Sequence, residues 1–213
     1  MWIGITGPAQ SGKDTVYGIF KDMYGDKCQR FSFADKLKDS VCALLDINRD
    51  MMEKLKINPE VELQLINTES PFEIEEFGDK HGTRVMQPLT MRRFLQRFGT
   101  EAHRSIFGEN FWVEQLFKGA PKDDDDKIFI ITDVRFDNEA EAVAKRGGYL
   151  IRLERPGTGG MEHASEVPIR EDFLDFFVKN DGTTDDLKLK IIFILDRIDD
   201  IEEELAKNGA NHL

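Results

Sequence analysis

The sequence predicts an α/β fold with a central parallel sheet, and three observations carry that expectation. Residues Trp2–Thr6 form a short apolar, β-branched run that meets a glycine-rich turn and then a helical pattern. Ile128–Thr132 is the clearest strand signal in the chain, four apolar residues closing on Thr132-Asp133. Around these runs strands and helices alternate, as they do when parallel strands are joined by crossover helices.

The first strand is expected over Trp2–Thr6. Asp14–Tyr24 follow as a helix, because Val16, Ile19, Phe20 and Met23 recur three and four apart. Gln29–Phe33 reads as a second short strand, and Ala34–Leu45 as a helix with Leu37, Val41 and Leu44 on one face. Residues 46–88 mix acidic runs with Pro59, Pro71 and Pro88 and show no long clean period. They read as a peripheral insertion, partly helical around Arg49–Leu55. Thr90 is placed to cap a helix over Met91–Phe98, which Gly99 is expected to stop. Ala102–Phe107 and Phe111–Phe117 read as short helices, and Pro121–Lys127 as an acidic turn. A helix over Asn138–Lys145 ends at Gly147-Gly148, and an apolar strand follows over Tyr149–Leu153. Residues 154–168 read as loop, Phe173–Val178 as a candidate last strand, and Leu187–Ala206 as a long helix ended by Gly209.

At 213 residues the chain suits one sizeable domain, and it is read as one, residues 1–213. Its 41 acidic residues outnumber 29 basic ones for a net charge of -12, so most of its surface would repel a nucleic acid polymer. A small phosphorylated ligand senses only the field of its cleft, which makes local Arg and Lys clusters the informative ones. Cys28 and Cys42 lack the spacing of a zinc or redox site and are expected to pack in the core. No apolar stretch reaches the ~18 residues that span a bilayer, and no basic segment leads into a long apolar one. No membrane association is expected, and a cytoplasmic location is.

Four clusters carry candidate chemistry. The first is Gly7-Pro8-Ala9-Gln10-Ser11-Gly12-Lys13. Its glycines let the backbone wrap phosphates, its N–H groups and the helix N-terminus supply partial positive charge, and Lys13 reaches the β- and γ-phosphates. The usual next residue is a Ser or Thr that touches Mg²⁺; here it is Asp14, followed by Thr15. A carboxylate there serves as a Mg²⁺ ligand or as a helix-terminal acid. The alternative for the whole loop, a chance match on the surface, is disfavoured by the strand before it and the helix after it.

The second cluster is Asp133, at the C-terminal end of the strand Ile128–Thr132, where a parallel sheet presents its ligand crevice. An acidic residue there orients Mg²⁺ or its water, and Arg135 beside it can touch a phosphate. A turn aspartate with a solvated arginine is the plainer alternative. The third is basic: Arg92, Arg93, Arg97 and Arg104 around Gln96, with Arg93 and Arg97, and Arg92 and Gln96, spaced i and i+4 on a helix. Arginine forks match phosphate oxygens, which suits an acceptor that already carries a phosphate. Arg152 and Arg155, at the end of the strand Tyr149–Leu153, are candidates for neutralising a transferring phosphoryl group. Asp35, after Phe31-Ser32-Phe33-Ala34, fits either a contact with the acceptor's sugar or base or a helix cap. His81, His103, His163 and His212 have no metal-ligand spacing, and no serine sits in a nucleophile elbow.

Taken in order, these segments resemble the deoxynucleoside monophosphate kinases of tailed bacteriophages, a branch of the P-loop kinases. The resembling residues are Gly7 to Thr15, Phe33-Ala34-Asp35 with Leu37-Lys38, and Leu95 to Glu101 with Arg104 and Trp112-Val113. Thr132 to Phe136 with Asn138-Glu139, His163 to Glu166, and Asn180 to Thr183 with Leu187 complete the set. Asp-Thr after the loop lysine is usual in that family. The resemblance implies the three-layer P-loop kinase fold with substrate-binding and lid insertions, for which residues 46–90 and 154–168 are the candidates. It implies ATP and Mg²⁺ as donor, a deoxynucleoside 5′-monophosphate as acceptor, and often a homodimer, in the host cytoplasm if phage-encoded.

Residue by residue, the donor site would comprise Gly7, Gln10, Ser11, Gly12, Lys13, Asp14 and Thr15, with Asp14 and Asp133 toward the metal. Asp35, Lys38, Arg92, Gln96, Arg97, Arg104, Arg152 and Arg155 would hold the acceptor. Lys13, Arg97, Arg104, Asp133 and Arg135 are the candidates for catalysis. The expected reaction is in-line attack of the acceptor phosphate on the γ-phosphoryl group; that phosphate is already anionic and needs no strong base. Dephospho-coenzyme A and phosphomevalonate kinases are the alternatives that the arginine cluster alone leaves open; an ATP-binding switch protein is a further alternative, against which the arginines argue.

Overall fold

Short apolar runs become strands wherever both faces can be covered. The computed structural model describes residues 1–58, 63, 73–77, 84–121, 126–158 and 168–209. In chain order the elements are β1 (Trp2–Thr6), α1 (Lys13–Tyr24), β2 (Cys28–Phe31), α2 (Phe33–Leu45), α3 (Arg49–Ile57), β3 (Glu73–Phe77) and β4 (Arg84–Pro88). Then come α4 (Met91–Gln96), a π-helical stretch (Arg97–Arg104), the single turn α5 (Ser105–Phe107) and α6 (Phe111–Gly119). The last are β5 (Ile128–Ile131), α7 (Asp137–Ala144), β6 (Tyr149–Glu154), β7 (Phe176–Lys179) and α8 (Thr184–Gly209). They fall into two units, Met1–Ser32 with Ala120–Leu213, and Phe33–Gly119.

The first unit is built on a sheet of order β2-β5-β1-β6-β7, parallel at every pairing. Alternate residues explain its two faces. Ile3, Ile5, Ile130, Ile151, Leu153 and Val178 face α1 and α8, meeting Val16, Phe20, Leu187, Ile191 and Ile198 in one core. On the opposite face Gly4 leaves room for Val134, Leu150 and Val143, the last of these on α7. Burial of each such Ile, Leu or Phe contributes about 1.5–3 kcal/mol. The expected α/β class with a parallel sheet and flanking helices is what the chain forms.

The second unit packs α2, α3 and α4 around Val41, Cys42, Met52, Leu63, Met91 and Leu95. Both cysteines are buried and free, as expected. The sequence reading needs three corrections here and one in the first unit. The region 46–88 contains an antiparallel pair, β3 with β4, in register from Glu73↔Pro88 to Phe77↔Arg84. Phe33 opens α2 and does not end β2. Gly99 does not stop a helix: the chain runs on through it as the π stretch, because Gly99 is a packing position. A Cβ there would lie 3.0 Å from Leu37 Cδ2, and Trp112 Nε1 donates to the Gly99 carbonyl at 2.9 Å. The last strand, in the first unit, begins at Phe176, after a 3₁₀ turn at Glu171–Phe173. His81, His163 with its neighbours to Glu166, and His212 lie outside the described residues. No helix among the described residues is long and apolar enough to cross a membrane.

Candidate active site

The glycine-rich loop leaves the C-terminal end of the central strand β1 and enters α1. Its backbone is bent where only glycine is at ease: φ is 137° at Gly7 and 108° at Gly12. Space requires glycine as well. A Cβ at Gly7 would sit 2.3 Å from the Leu153 carbonyl oxygen, and one at Gly12 would sit 2.5 Å from Asn180 Nδ2. Gln10 also takes a positive φ, 64°. Gly12 caps α1, and having no side chain it places none of its own on the amides of the helix start. The Lys13 ammonium donates to the carbonyls of Gly7 and Pro8 at 2.8 and 2.5 Å, which poises it over the loop. Ser11 is buried, and its hydroxyl has no hydrogen-bond partner among the described residues.

Asp14 lies in the first turn of α1 with its carboxylate almost fully exposed, 3.9 Å from the Arg30 guanidinium. Thr15 beside it is exposed. Asp133 follows β5, half-buried, and its Oδ2 accepts from Ser32 Oγ at 2.7 Å. The turn after Asp133 is held by a carboxylate that sequence reasoning quoted but did not interpret. Glu139, 2% exposed, accepts from the Arg135 and Phe136 amides at 2.8 and 3.2 Å, which aligns the start of α7. Arg152 stands on β6 at the register position of Thr6, one residue before the loop. Its Nη2 pairs with Glu154 at 3.1 Å, and its buried Nε has no partner among the described residues. Arg155 is exposed just beyond the strand. Gly7 to Thr15, Asp133, Arg135, Arg152 and Arg155 therefore all belong to the first unit, at or just beyond strand C-termini.

The remaining candidates belong to the second unit. Asp35 is in the first turn of α2 and not its cap, and Arg49 Nη2 donates to it at 2.8 Å while Arg49 Nε lies 3.4 Å from Asp39. Lys38 donates to Glu53 at 2.9 Å, and Lys56 donates to the same carboxylate. Burial pushes the Glu53 carboxyl up, but hydrogen bonds from Lys56 and Lys38 outweigh it and hold it at about 2. Thr90 Oγ1 accepts from the Arg93 amide and starts α4. Arg92 is exposed; Gln96, Arg97 and Arg104 are half-buried, and Arg97 and Arg104 are the two ends of the π stretch. Arg97 pairs with Glu101 at 3.1 Å. The stretch is anchored beneath by His103, which contacts the Phe98 carbonyl and packs among Phe98, Phe107, Phe111 and Trp112. A π insertion in a helix is common at functional sites because it re-aims the side chains it carries.

Comparison with known proteins gives this geometry a family. The family model described as deoxynucleotide monophosphate kinase matches residues 52–191. A protein of Acanthamoeba polyphaga mimivirus that carries the same family name is 30% identical, across 91% of this chain and 95% of its own. The deoxynucleoside-5′-monophosphate kinase of Escherichia phage T5 is 25% identical, across 89% and 93%. The deoxynucleotide monophosphate kinase of Escherichia phage RB69 is 32% identical over 50% of this chain and 45% of its own.

Proposed function

The chain belongs to the deoxynucleotide monophosphate kinase family, and from that premise we propose how its residues divide the transfer of a phosphoryl group from ATP to a deoxynucleoside 5′-monophosphate. The observation that carries the proposal is the loop Gly7–Lys13: a chain of turned backbone amides and a poised ammonium, at the C-terminal end of the central parallel strand. Its residues, with Asp14 and Thr15, bind the ATP phosphates, and Lys13 stabilises the charge that builds on the γ-phosphoryl oxygens. The acceptor belongs to the second unit, with Arg92, Arg97 and Arg104 on its phosphate, Gln96 beside them, and Asp35 and Lys38 toward its sugar or base. The support is chemical. Three arginines on one helical run concentrate positive charge in a chain of net charge -12. Arg135 supplies further charge at the phosphates, and Arg152 and Arg155 neutralise the transferring phosphoryl group as it passes to the acceptor.

Mg²⁺ fits the acidic groups of the first unit. Asp14 and Asp133 are hard oxygen donors, and Mg²⁺ characteristically takes one or two carboxylates together with substrate phosphates and water. When bound it would offset phosphate charge; orientation and exclusion of water remain the work of the protein. Residues 46–90 as substrate-binding insertion, 154–168 as lid, a cytoplasmic homodimer and independence from nucleic acid polymers and membranes complete the proposal. It is tested by acceptor-dependent release of ADP from MgATP across ribo- and deoxynucleoside monophosphates. Stimulation by deoxynucleotides is expected; stimulation by none of them would overturn the reading.

A further inference from the structure

Asn180, which follows the edge strand β7, is 8% exposed and lies 169 residues along the chain from its partner in the loop. Its Nδ2 donates to the Ser11 carbonyl at 2.8 Å, and the same nitrogen packs on Gly12 so closely that a Cβ there would be 2.5 Å away. The backbone that carries the carboxamide is held on both sides of Asn180. The Asn180 backbone N–H donates to the Glu154 carbonyl at 2.6 Å. Lys190, from α8, donates to the Lys179 carbonyl at 2.6 Å and to Asp181 at 3.2 Å. Thr183 and Asp186 cap α8 reciprocally: the Thr183 amide donates to Asp186 at 2.8 Å, and the Asp186 amide to Thr183 Oγ1 at 3.2 Å.

The consequence follows from peptide geometry. Among the described residues no peptide bond is cis, so within the planar Ser11–Gly12 unit the C=O and N–H point in opposite directions. Holding the Ser11 carbonyl on Asn180 therefore turns the Gly12 N–H away from Asn180. Without that restraint, a glycine at φ 108° has ample freedom to rotate the plane. We propose that Asn180 is a positioning residue for ATP: by clamping the Ser11 carbonyl it presents the Gly12 N–H to the donor phosphates. Asn180 does not touch ATP; it keeps one amide of the cradle preorganised, so the gain is made before the ligand arrives. The inference rests on the reading of this loop as the ATP site.

The test is ATP affinity, measured by equilibrium titration without acceptor on wild type, N180L and N180D, with thermal unfolding and deoxynucleoside monophosphate KM measured alongside. N180L keeps the volume and loses the donor; N180D keeps the shape and sets an oxygen against the Ser11 carbonyl. ATP binding is expected to weaken about tenfold in N180L and by more in N180D, the scale of one buried hydrogen bond, with the acceptor KM within about twofold. Loss of affinity for both nucleotides in proportion would mark a merely structural role and overturn the proposal. So would wild-type ATP affinity in either variant. Should a variant fail to fold, the wild type alone decides: the Gly12 amide resonance must shift on addition of ATP, and an unshifted one overturns the assignment. A wild type that binds no ATP would instead remove the donor reading itself.

Discussion

The two units grip phosphate, on this account, by opposite means. In the first, the proposed gripping groups are backbone amides of the Gly7–Lys13 loop, which has positive φ at Gly7, Gln10 and Gly12 and a buried Asn180 carboxamide on its Ser11 carbonyl. In the second they are arginine side chains on a helix surface, and Arg97 already has an internal partner in Glu101. A backbone cradle is rigid and has few ways to adapt. A set of paired arginines exchanges one partner for another and loses its parts singly. The difference teaches where substitutions should be severe and where they should be graded.

The largest effect is expected at Lys13, which joins both means, a charged side chain seated on backbone carbonyls. Lys13→Ala should lower turnover on the order of 10²–10³-fold with thermal unfolding little changed. Wild-type-like turnover would remove Lys13 from the chemistry. Next comes Gly7→Ala, which forces a Cβ against the Leu153 carbonyl oxygen at a φ that L residues avoid. About 2–3 kcal/mol of stability should be lost in denaturant titration, together with ATP binding. Gly18→Ala is the matching control, with nothing within 4 Å of its Cβ and a helical site. It should gain roughly 0.5–1 kcal/mol, and equal effects at the two glycines would refute the rigid-cradle half of the comparison.

On the graded side, Arg97→Ala should raise the acceptor KM roughly 10- to 100-fold while the ATP KM stays within about twofold, the scale of one charge-assisted hydrogen bond. A change confined to the ATP KM would place that arginine in the wrong half of the reaction. The smallest effect concerns Glu53, whose carboxyl is held at about 2 by hydrogen bonds from Lys56 and Lys38, against burial that pushes it up. A lowered carboxyl favours the folded state above its ordinary range and loses that contribution as pH falls from about 5 toward 2. The carboxylate is 42% exposed, so screening leaves about 1 kcal/mol. Glu53→Gln should cost that much at pH 7 and flatten the acid limb of the stability curve. An unchanged limb would show that the Lys38–Glu53–Lys56 group is energetically silent.

Legibility differed between the units for physical reasons. Buried parallel strands are short apolar runs, so β1, β5 and β6 read within one residue of their bounds, and the glycine loop falls between strand and helix as expected. The pair β3–β4 did not, because Glu76 stands two residues after Ile74, where alternation calls for an apolar residue, and breaks the pattern that marks a strand. Gly99 misled because a glycine chosen for close approach to Leu37 looks the same in sequence as one that ends a helix. From sequence Asp35 fits either a ligand contact or a helix cap; that Arg49 donates to it is not legible, because the charged face of α3 carries no signal of its partner. Asn180 enters the sequence reading only through the family resemblance, since a side chain that bonds a carbonyl 169 residues away leaves no local pattern. Glu139 had one available signal, an acid three residues into a helix.

Hydrogen exchange with one nucleotide at a time tests the division of labour most directly. MgATP alone should slow exchange across residues 7–15, and a deoxynucleoside monophosphate alone should slow it across residues 91–104. Protection of 7–15 by the monophosphate alone, with 91–104 unaffected, would contradict the account.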